Sequence, residues 1–204
     1  MNDLLRSRQL TAGVDEAGRG ALCGPVVAAA VILKNVPRRR TGVWAEIRDS
    51  KLLCEIARTR LAEFIRSQAL CIGIGQASHT EIDRLNIHHA SLLSMRRAVQ
   101  ELKMAPQLIL IDGKFTIPNL PHKQRSLING DETELVISCA SIIAKVYRDE
   151  LMKKLAERFS EYGFEKHKGY GTKLHRNRLR KYGPCPVHRM TFGPVKDIIS
   201  RREG

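Results

Sequence analysis

The sequence predicts an α/β fold, in which five short strands alternate with helices and a C-terminal basic helical extension follows. Three observations support this class. Stretches typical of strands occur at five places, other stretches show helical spacing of apolar residues, and lysine and arginine concentrate near the C-terminus. A chain of 204 residues is long enough for one substantial core. We therefore expect a single domain over residues 1–204, with about 160–204 as the basic helical segment.

The first two predicted strands are residues 10–15 and Val26–Leu33, joined by a turn that contains the run Gly18-Arg19-Gly20. We expect them to pair antiparallel, because a short connection brings them side by side in opposite directions. The second strand is apolar throughout, which is typical of a strand buried on both faces. The two glycines tolerate positive φ and let a ligand approach the backbone closely.

Two acidic residues, Asp15 and Glu16, interrupt this apolar passage. Adjacent carboxylates beside a core repel each other unless a cation lies between them, and a divalent metal ion is the natural candidate. Neighbouring residues of a regular strand point to opposite faces, so both can reach one centre only where the strand ends or twists. The alternative is a glycine-rich turn whose acids face water.

The next elements are a helix over residues 54–67 and a third strand over residues 69–76. Lys51 precedes that helix and is either a contact to substrate phosphate or an ordinary surface lysine. Ser78 and Glu81 have the spacing of a capping box, which predicts the start of one long helix with an apolar stripe. The stripe consists of Leu85, Leu92, Met95, Val99 and Leu102.

Two further acids follow predicted strands. Asp112 ends the β-branched run at residues 108–111, and Asp131 comes just after a short strand around residues 125–128. The carboxyl end of a buried strand is where α/β sheets place ligand-binding groups. A helix from about residue 138 to residue 159 begins with small residues, so it can lie close to the sheet and fix the position of Asp131.

The net charge of +14 favours a polyanionic partner, because lysine and arginine displace counterions from a phosphate backbone. We therefore expect nucleic acid as the partner and no membrane. Residues 166–196 contain nine lysines and arginines and no acid. Tyr170 lies in this segment between two glycines, which suits stacking on a sugar or base. The alternative is a tyrosine packed under a loop.

The N-terminus lacks the apolar core of a signal peptide, and the longest apolar run, residues 21–33, contains Pro25 and is too short to span a bilayer. The five cysteines are scattered and form no CxxC pair. We therefore expect a cytoplasmic protein with reduced thiols and neither a disulfide framework nor a structural zinc site. Nothing in the sequence resembles a dimerisation seam, which favours a monomer.

Five motifs occur in order along the chain: VDEAGRG, LIDG, NGD followed by ASIIAKVYRD, HKGYGT and HRMTFGPV. In these motifs the chain resembles bacterial ribonuclease HII over nearly its whole length. The resemblance implies a ribonuclease H-like fold, with a mixed five-stranded sheet whose first three strands are antiparallel and with helices on both sides. It also implies one acidic cluster that is both catalytic and metal-binding. Its members are Asp15, Glu16, Asp112 and Asp131.

The same resemblance implies two Mg²⁺ or Mn²⁺ ions and a substrate that is an RNA/DNA hybrid or duplex DNA with a single embedded ribonucleotide. It further implies a cut on the 5′ side of the ribonucleotide that leaves a 3′ hydroxyl and a 5′ phosphate, in the service of ribonucleotide removal from DNA. Gly18, Arg19 and Gly20 are suited to reading the ribose, because backbone groups can approach the sugar only where no Cβ intervenes. By resemblance, Tyr170 is expected to pack on the sugar of the following deoxynucleotide. The chain departs from the family pattern at Asn129, where lysine is usual.

Two other functions remain open from the residues alone. One is another metal-dependent nuclease of the same fold, such as a Holliday-junction resolvase or a type I ribonuclease H, which needs the acids but not the GRG and GYG motifs. The other is a basic RNA-binding module without catalysis, for which acids beside the binding surface are an electrostatic penalty.

Overall fold

The computed structural model describes residues 9–47, 50 and 53–203, with side chains up to residue 200. Its five strands are β1 (Thr11–Ala17), β2 (Val26–Leu33), β3 (Ala69–Ala77), β4 (Leu108–Asp112) and β5 (Lys123–Leu127). They form one sheet in the order β3-β2-β1-β4-β5. β2 pairs antiparallel with β1 and β3, whereas β4 pairs parallel with β1 and β5. The predicted mixed sheet with three antiparallel strands is confirmed.

Helices cover both faces of this sheet. In the described ranges they are α1 (Val43–Glu46), α2 (Glu55–Gln68), α3 (His79–Leu85), α4 (Ile87–Gln100), α5 (Gly130–Thr133), α6 (Leu135–Arg158), α7 (Phe164–His167), α8 (Lys173–Tyr182) and α9 (Gly193–Glu203). The buried side chains of α6 and α2 pack on one face, and those of α4 pack on the other. The last three helices share a separate apolar cluster with the end of α6, so the predicted C-terminal helical segment is confirmed.

A glycine in β1 lets α6 lie directly on the sheet. A Cβ at Gly13 would lie 2.1 Å from the carbonyl carbon of Val136, at the start of α6. The first turns of that helix add small buried residues, among them Ser138 and Cys139. This close approach fixes the N-terminal end of α6, and with it the adjoining α5, against the strand that carries Asp15.

The single long helix predicted after Ser78 is wrong. The capping box between Ser78 and Glu81 is present, but α3 ends at a left-handed Asn86 with φ of 67°. The side chain of Asn86 then accepts a hydrogen bond from the N–H of His88 at 2.9 Å and caps a second helix, α4. An asparagine tolerates positive φ and offers its own cap, which interrupts an apolar stripe that otherwise continues. Leu102 lies beyond the end of α4.

Smaller differences concern the segment around Asp131. The fifth strand is Lys123–Leu127 where residues 125–128 were predicted, and α6 begins at Leu135, ahead of the predicted residue 138. Asp131 lies in the short helix α5 between them. None of the described helices has the length and apolar character needed to cross a bilayer.

We expect Gly13→Ala to destabilise the protein by about 3 kcal/mol or more, because overpacking a core costs about 1–3 kcal/mol and here the new methyl meets backbone that cannot rotate away. The midpoint of urea unfolding measures the change. Gly193→Ala is the matched control, since a Cβ at that position has no atom within 4 Å. Equal midpoints for the two variants would contradict the close approach of β1 and α6.

Candidate active site

The predicted acids meet where adjacent strands end. Asp15 and Glu16 lie near the carboxyl end of β1, and Asp112 ends β4, which runs parallel to β1. One carboxylate oxygen from each of Asp15, Asp112 and Asp131 lies within 4.8 Å of the others. Glu16 is outside that group of three, but it lines the same cleft as Asp15 and Asp112. The structure therefore brings all four predicted acids into one region.

Backbone hydrogen bonds hold these carboxylates in place. The N–H of Glu16 donates to Oδ1 of Asp15 at 2.6 Å, and the N–H of Gly130 donates to Oδ1 of Asp112 at 2.8 Å. The second bond ties the end of β4 to the helix that carries Asp131. Because two of the three clustered carboxylates accept a backbone N–H, the cluster is positioned by the chain itself and does not depend on long flexible side chains.

The cluster concentrates negative charge in a buried place. Burial raises the pKa of Asp15 well above its ordinary value, and repulsion from Glu16 and Asp112 adds to this. Burial also raises the pKa of Glu16, although Arg19 opposes the shift from an ion pair at 3.1 Å. Oxygen ligands and mutual repulsion are the properties that suit a hard divalent cation. The residues present therefore fit a magnesium or manganese site.

The carboxylates open into a cleft of about 440 Å³. The predicted substrate-binding residues Gly18, Arg19, Gly20 and Tyr170 also line this cleft. Five further lining residues were not predicted, namely Ala17, Ser50, Arg58, Ser141 and Lys145. Lys51, predicted as a substrate contact, lies outside the described residues.

The GRG turn and the GYG loop are neighbours. Ala21 and Tyr170 form a backbone bridge, and the N–H of Leu22 donates to the carbonyl of Gly169 at 2.8 Å. The ring of Tyr170 also has cations over it, since Nζ of Lys145 and Cζ of Arg148 each lie 5.4 Å from its centroid. Two motifs from opposite ends of the chain thus form one wall.

One polar network in this wall was missed by sequence reasoning. Asp149 accepts from Arg58 at 3.1 Å and from Lys145 at 2.6 Å. Arg58 also donates to the carbonyl of Ser50 at 3.0 Å, and the hydroxyls of Ser50 and Ser141 lie 2.9 Å apart. The spacing of Lys145 and Asp149 in a helix was the available signal. The network fixes four groups at the cleft, two cationic and two hydroxyl.

A buried histidine chain supports the other side of Tyr170. The N–H of Cys185 donates to Nδ1 of His188 at 2.9 Å, so neutral His188 carries its proton on Nε2. That proton is donated to Nε2 of His175 at 3.1 Å, and Nδ1 of His175 donates to the carbonyl of Tyr170 at 3.0 Å. Burial lowers the pKa of both histidines to about 4, which keeps the rings neutral.

This chain also brings Cys23, His175 and His188 together, with one ligand atom of each within 4.8 Å of the others. Sequence reasoning missed the group because its members are far apart in the sequence. The hydrogen bonds above use the nitrogens of both rings for protein contacts. The expected absence of a structural zinc site stays a prediction.

A mixed five-stranded sheet with carboxylates at the adjoining ends of parallel strands, beside a cationic cleft, defines a nucleic-acid hydrolase of the ribonuclease H type. The model of the family Ribonuclease HII matches residues 12–195. The chain therefore belongs to the ribonuclease HII family. It is 48% identical over 190 residues to the ribonuclease HII of Albidiferax ferrireducens, an alignment that covers 93% of this chain and 89% of that protein.

Solved structures agree on the fold. The ribonuclease H2 of Pyrococcus horikoshii OT3 superposes with a TM-score of 0.78 at 26% identity, covering 95% of this chain and 99% of that chain. Bst-RNase HIII, solved in complex with Mn²⁺, has a TM-score of 0.69 at 18% identity, covering 95% and 70%. The predicted ribonuclease H-like fold and nuclease class are confirmed. The alternative of an RNA-binding module without catalysis is wrong.

We expect Asp15→Asn to stabilise the metal-free protein at neutral pH. The folded-state pKa of Asp15 is raised, so the parent loses stability as pH rises from the ordinary carboxyl pKa through the folded-state pKa. The advantage of Asp15→Asn should therefore grow as pH rises above about 4 and vanish below about pH 4, where the carboxyl is protonated in both states. Melting temperatures in EDTA across this range measure it. An advantage that is independent of pH would contradict the assigned cause.

Proposed function

We propose that this endoribonuclease cuts on the 5′ side of single ribonucleotides embedded in duplex DNA, as well as in the RNA strand of RNA/DNA hybrids, and leaves a 3′ hydroxyl and a 5′ phosphate. The observation that carries the proposal is the shared cleft: Asp15, Glu16 and Asp112 line one space with the GRG turn and Tyr170, and a carboxylate oxygen of Asp131 lies within 4.8 Å of those of Asp15 and Asp112. Such an arrangement suits an enzyme that reads a ribose and its neighbour while it hydrolyses the adjoining phosphodiester.

The four acids would hold two divalent metal ions. Asp15, Asp112 and Asp131 offer oxygens close enough to share a cation, and Glu16 reaches the same cleft from the next position of β1. When bound, the ions supply Lewis acidity for attack by water and for departure of the 3′ oxygen. Mg²⁺ and Mn²⁺ both prefer oxygen ligands. Arg19, paired with Glu16 at 3.1 Å, keeps that carboxylate oriented toward the cleft.

The GRG turn would read the ribose. Gly18 has φ of +97°, and a Cβ there would lie 1.9 Å from Nε of Arg148, so only glycine fits this position. Gly20 is exposed, with no atom within 4 Å of a Cβ built on it, which leaves room for a sugar to approach the backbone. The 2′ hydroxyl is the group that distinguishes RNA from DNA, and close backbone donors are suited to it.

Tyr170 would read the sugar that follows the ribonucleotide. Its ring is partly exposed at the cleft, while its backbone is held by the bridge to Ala21 and by His175. A ring fixed in this way stacks on a deoxyribose without reorganising, whereas a 2′ hydroxyl on that sugar would crowd it. The exposed basic residues of α8, such as Arg176 and Lys181, would contact phosphates further along the duplex.

The direct test is incubation with Mn²⁺ and a DNA duplex that contains one ribonucleotide. We expect a single cut on its 5′ side, and loss of most activity in Asp112→Asn. Mn²⁺ should also raise the melting temperature of the parent more than that of Asp112→Asn, because the ion relieves repulsion in the parent. Glu157→Gln, an exposed acid of α6, is the matched control. Cleavage of hybrids alone, with the single ribonucleotide left intact, would contradict the proposal.

We expect Tyr170→Ala to lose activity on the single embedded ribonucleotide by roughly five- to two-hundredfold, the factor that corresponds to a stacking contact of about 1–3 kcal/mol. The loss on a continuous RNA strand paired with DNA should be smaller. Initial rates on both substrates at one salt concentration measure the difference. Tyr182→Ala, another exposed tyrosine of the basic segment, should leave the ratio of the two rates unchanged. Equal losses on both substrates would assign Tyr170 a general binding role.

A further inference from the structure

A buried arginine holds the backbone of the GRG turn through hydrogen bonds. Arg189 is 0% exposed, and its guanidinium donates to three backbone carbonyls. These are the carbonyls of Gly18 at 2.8 Å, Arg19 at 2.8 Å and Gly24 at 3.0 Å. The backbone of Arg189 is anchored to the same segment, because its N–H donates to the carbonyl of Leu22 at 2.9 Å. Each of the three guanidinium nitrogens therefore donates one hydrogen bond to this segment.

A second buried arginine extends this support. Arg148 of α6 is also 0% exposed and donates to the carbonyls of Cys23, Pro25 and Lys168 at 3.2, 3.0 and 2.9 Å. Lys168 lies two positions before Tyr170, so Arg148 ties the GRG segment to the GYG loop. Of these two arginines, only Arg189 donates to the carbonyls of Gly18 and Arg19.

Such burial is costly. Within the described part of the chain, neither guanidinium forms a salt bridge with a carboxylate. A buried charge destabilises a fold unless its partners compensate, and apolar residues of similar size often serve stability as well or better. Burial and the proximity of Arg148 lower the pKa of Arg189 to about 9, which still leaves it charged at neutral pH. This cost indicates that the two buried arginines have a role beyond packing.

The geometry of the peptide group indicates what the role of Arg189 is. In a trans peptide the carbonyl and the following N–H point in opposite directions, and the described chain contains no cis bond. When Arg189 holds the carbonyls of Gly18 and Arg19 inward, the N–H groups of Arg19 and Gly20 must face outward. Both residues are exposed and line the cleft. Neither N–H has an acceptor among the described residues.

We propose that Arg189 is the positioning residue for ribose recognition: its grip on two carbonyls presents the N–H groups of Arg19 and Gly20 to the 2′ hydroxyl and the adjoining phosphate. A cation on a carbonyl polarises the peptide, so the opposite N–H becomes a stronger donor. Donors that are already oriented need no reorganisation when the substrate binds. This inference rests on the proposed ribose-reading role of the GRG turn.

The test compares affinities for two duplexes that differ by one 2′ hydroxyl, an all-DNA duplex and the same duplex with one ribonucleotide. Binding of the full-length protein is measured with Ca²⁺ in place of Mg²⁺, and gels verify that the substrate stays intact. We expect Arg189→Met to reduce the preference for the ribonucleotide by about two- to tenfold, the effect of one hydrogen bond. Arg189→Lys retains the charge and some of the hydrogen bonds to the carbonyls. Its preference for the ribonucleotide should therefore fall between that of the parent and that of Arg189→Met. Affinity for all-DNA should change little.

The matched control is Leu179→Ala, which opens a cavity in the apolar cluster of the C-terminal helices without touching the GRG turn. It should lower the melting temperature yet keep the parent's preference for the ribonucleotide. The inference is overturned if Arg189→Met keeps that preference, if it weakens both duplexes equally, or if Leu179→Ala loses the preference to the same extent. A parent protein that shows no preference and no cleavage would overturn the proposed function, and this inference with it.

Discussion

Buried negative charge at the adjoining ends of β1 and β4 is the constraint on which the rest of the site depends. Asp15 and Asp131 are each 5% exposed, and burial with repulsion raises the pKa of Asp15. The parallel pairing of the two strands brings their ends together, and Gly13 lets α6 approach closely enough to fix the third carboxylate. A site built in this way is destabilised by repulsion until a cation binds, which is the behaviour that a metal-dependent enzyme needs.

Buried positive charge lies behind the same cleft. Arg148 and Arg189 donate to backbone carbonyls, and neither forms a salt bridge with a carboxylate among the described residues. The carboxylates lie on the cleft side and the guanidiniums lie behind the GRG turn, so the interior contains two regions of opposite charge. The first suits cations, and in our proposal the second directs backbone N–H groups toward an anionic substrate. The division also explains Gly18, because the side chain of Arg148 occupies the place that a Cβ would take.

Two segments that are far apart in the sequence form one wall of the cleft. The bridge between Ala21 and Tyr170 and the neutral chain from His188 through His175 hold the tyrosine backbone beside the GRG turn. The contacts hold the proposed ribose reader beside the proposed reader of the next sugar. An enzyme that recognises the junction between RNA and DNA needs the two side by side, since the two sugars are consecutive in one strand.

The sequence by itself determined the five strands and the capping box at Ser78, because strand patterns and caps are local signals. It also located the three aspartates that the structure brings together, Asp15, Asp112 and Asp131, because each lies at or just after a strand end. It did not determine the helix break at Asn86, where one left-handed residue with its own cap overrides a continuing apolar stripe. Only the tertiary structure decided that Arg189 meets Gly18, 171 positions away. Neither residue carries a local sequence signal for this contact. The interaction exists only once the C-terminal segment packs behind the GRG turn.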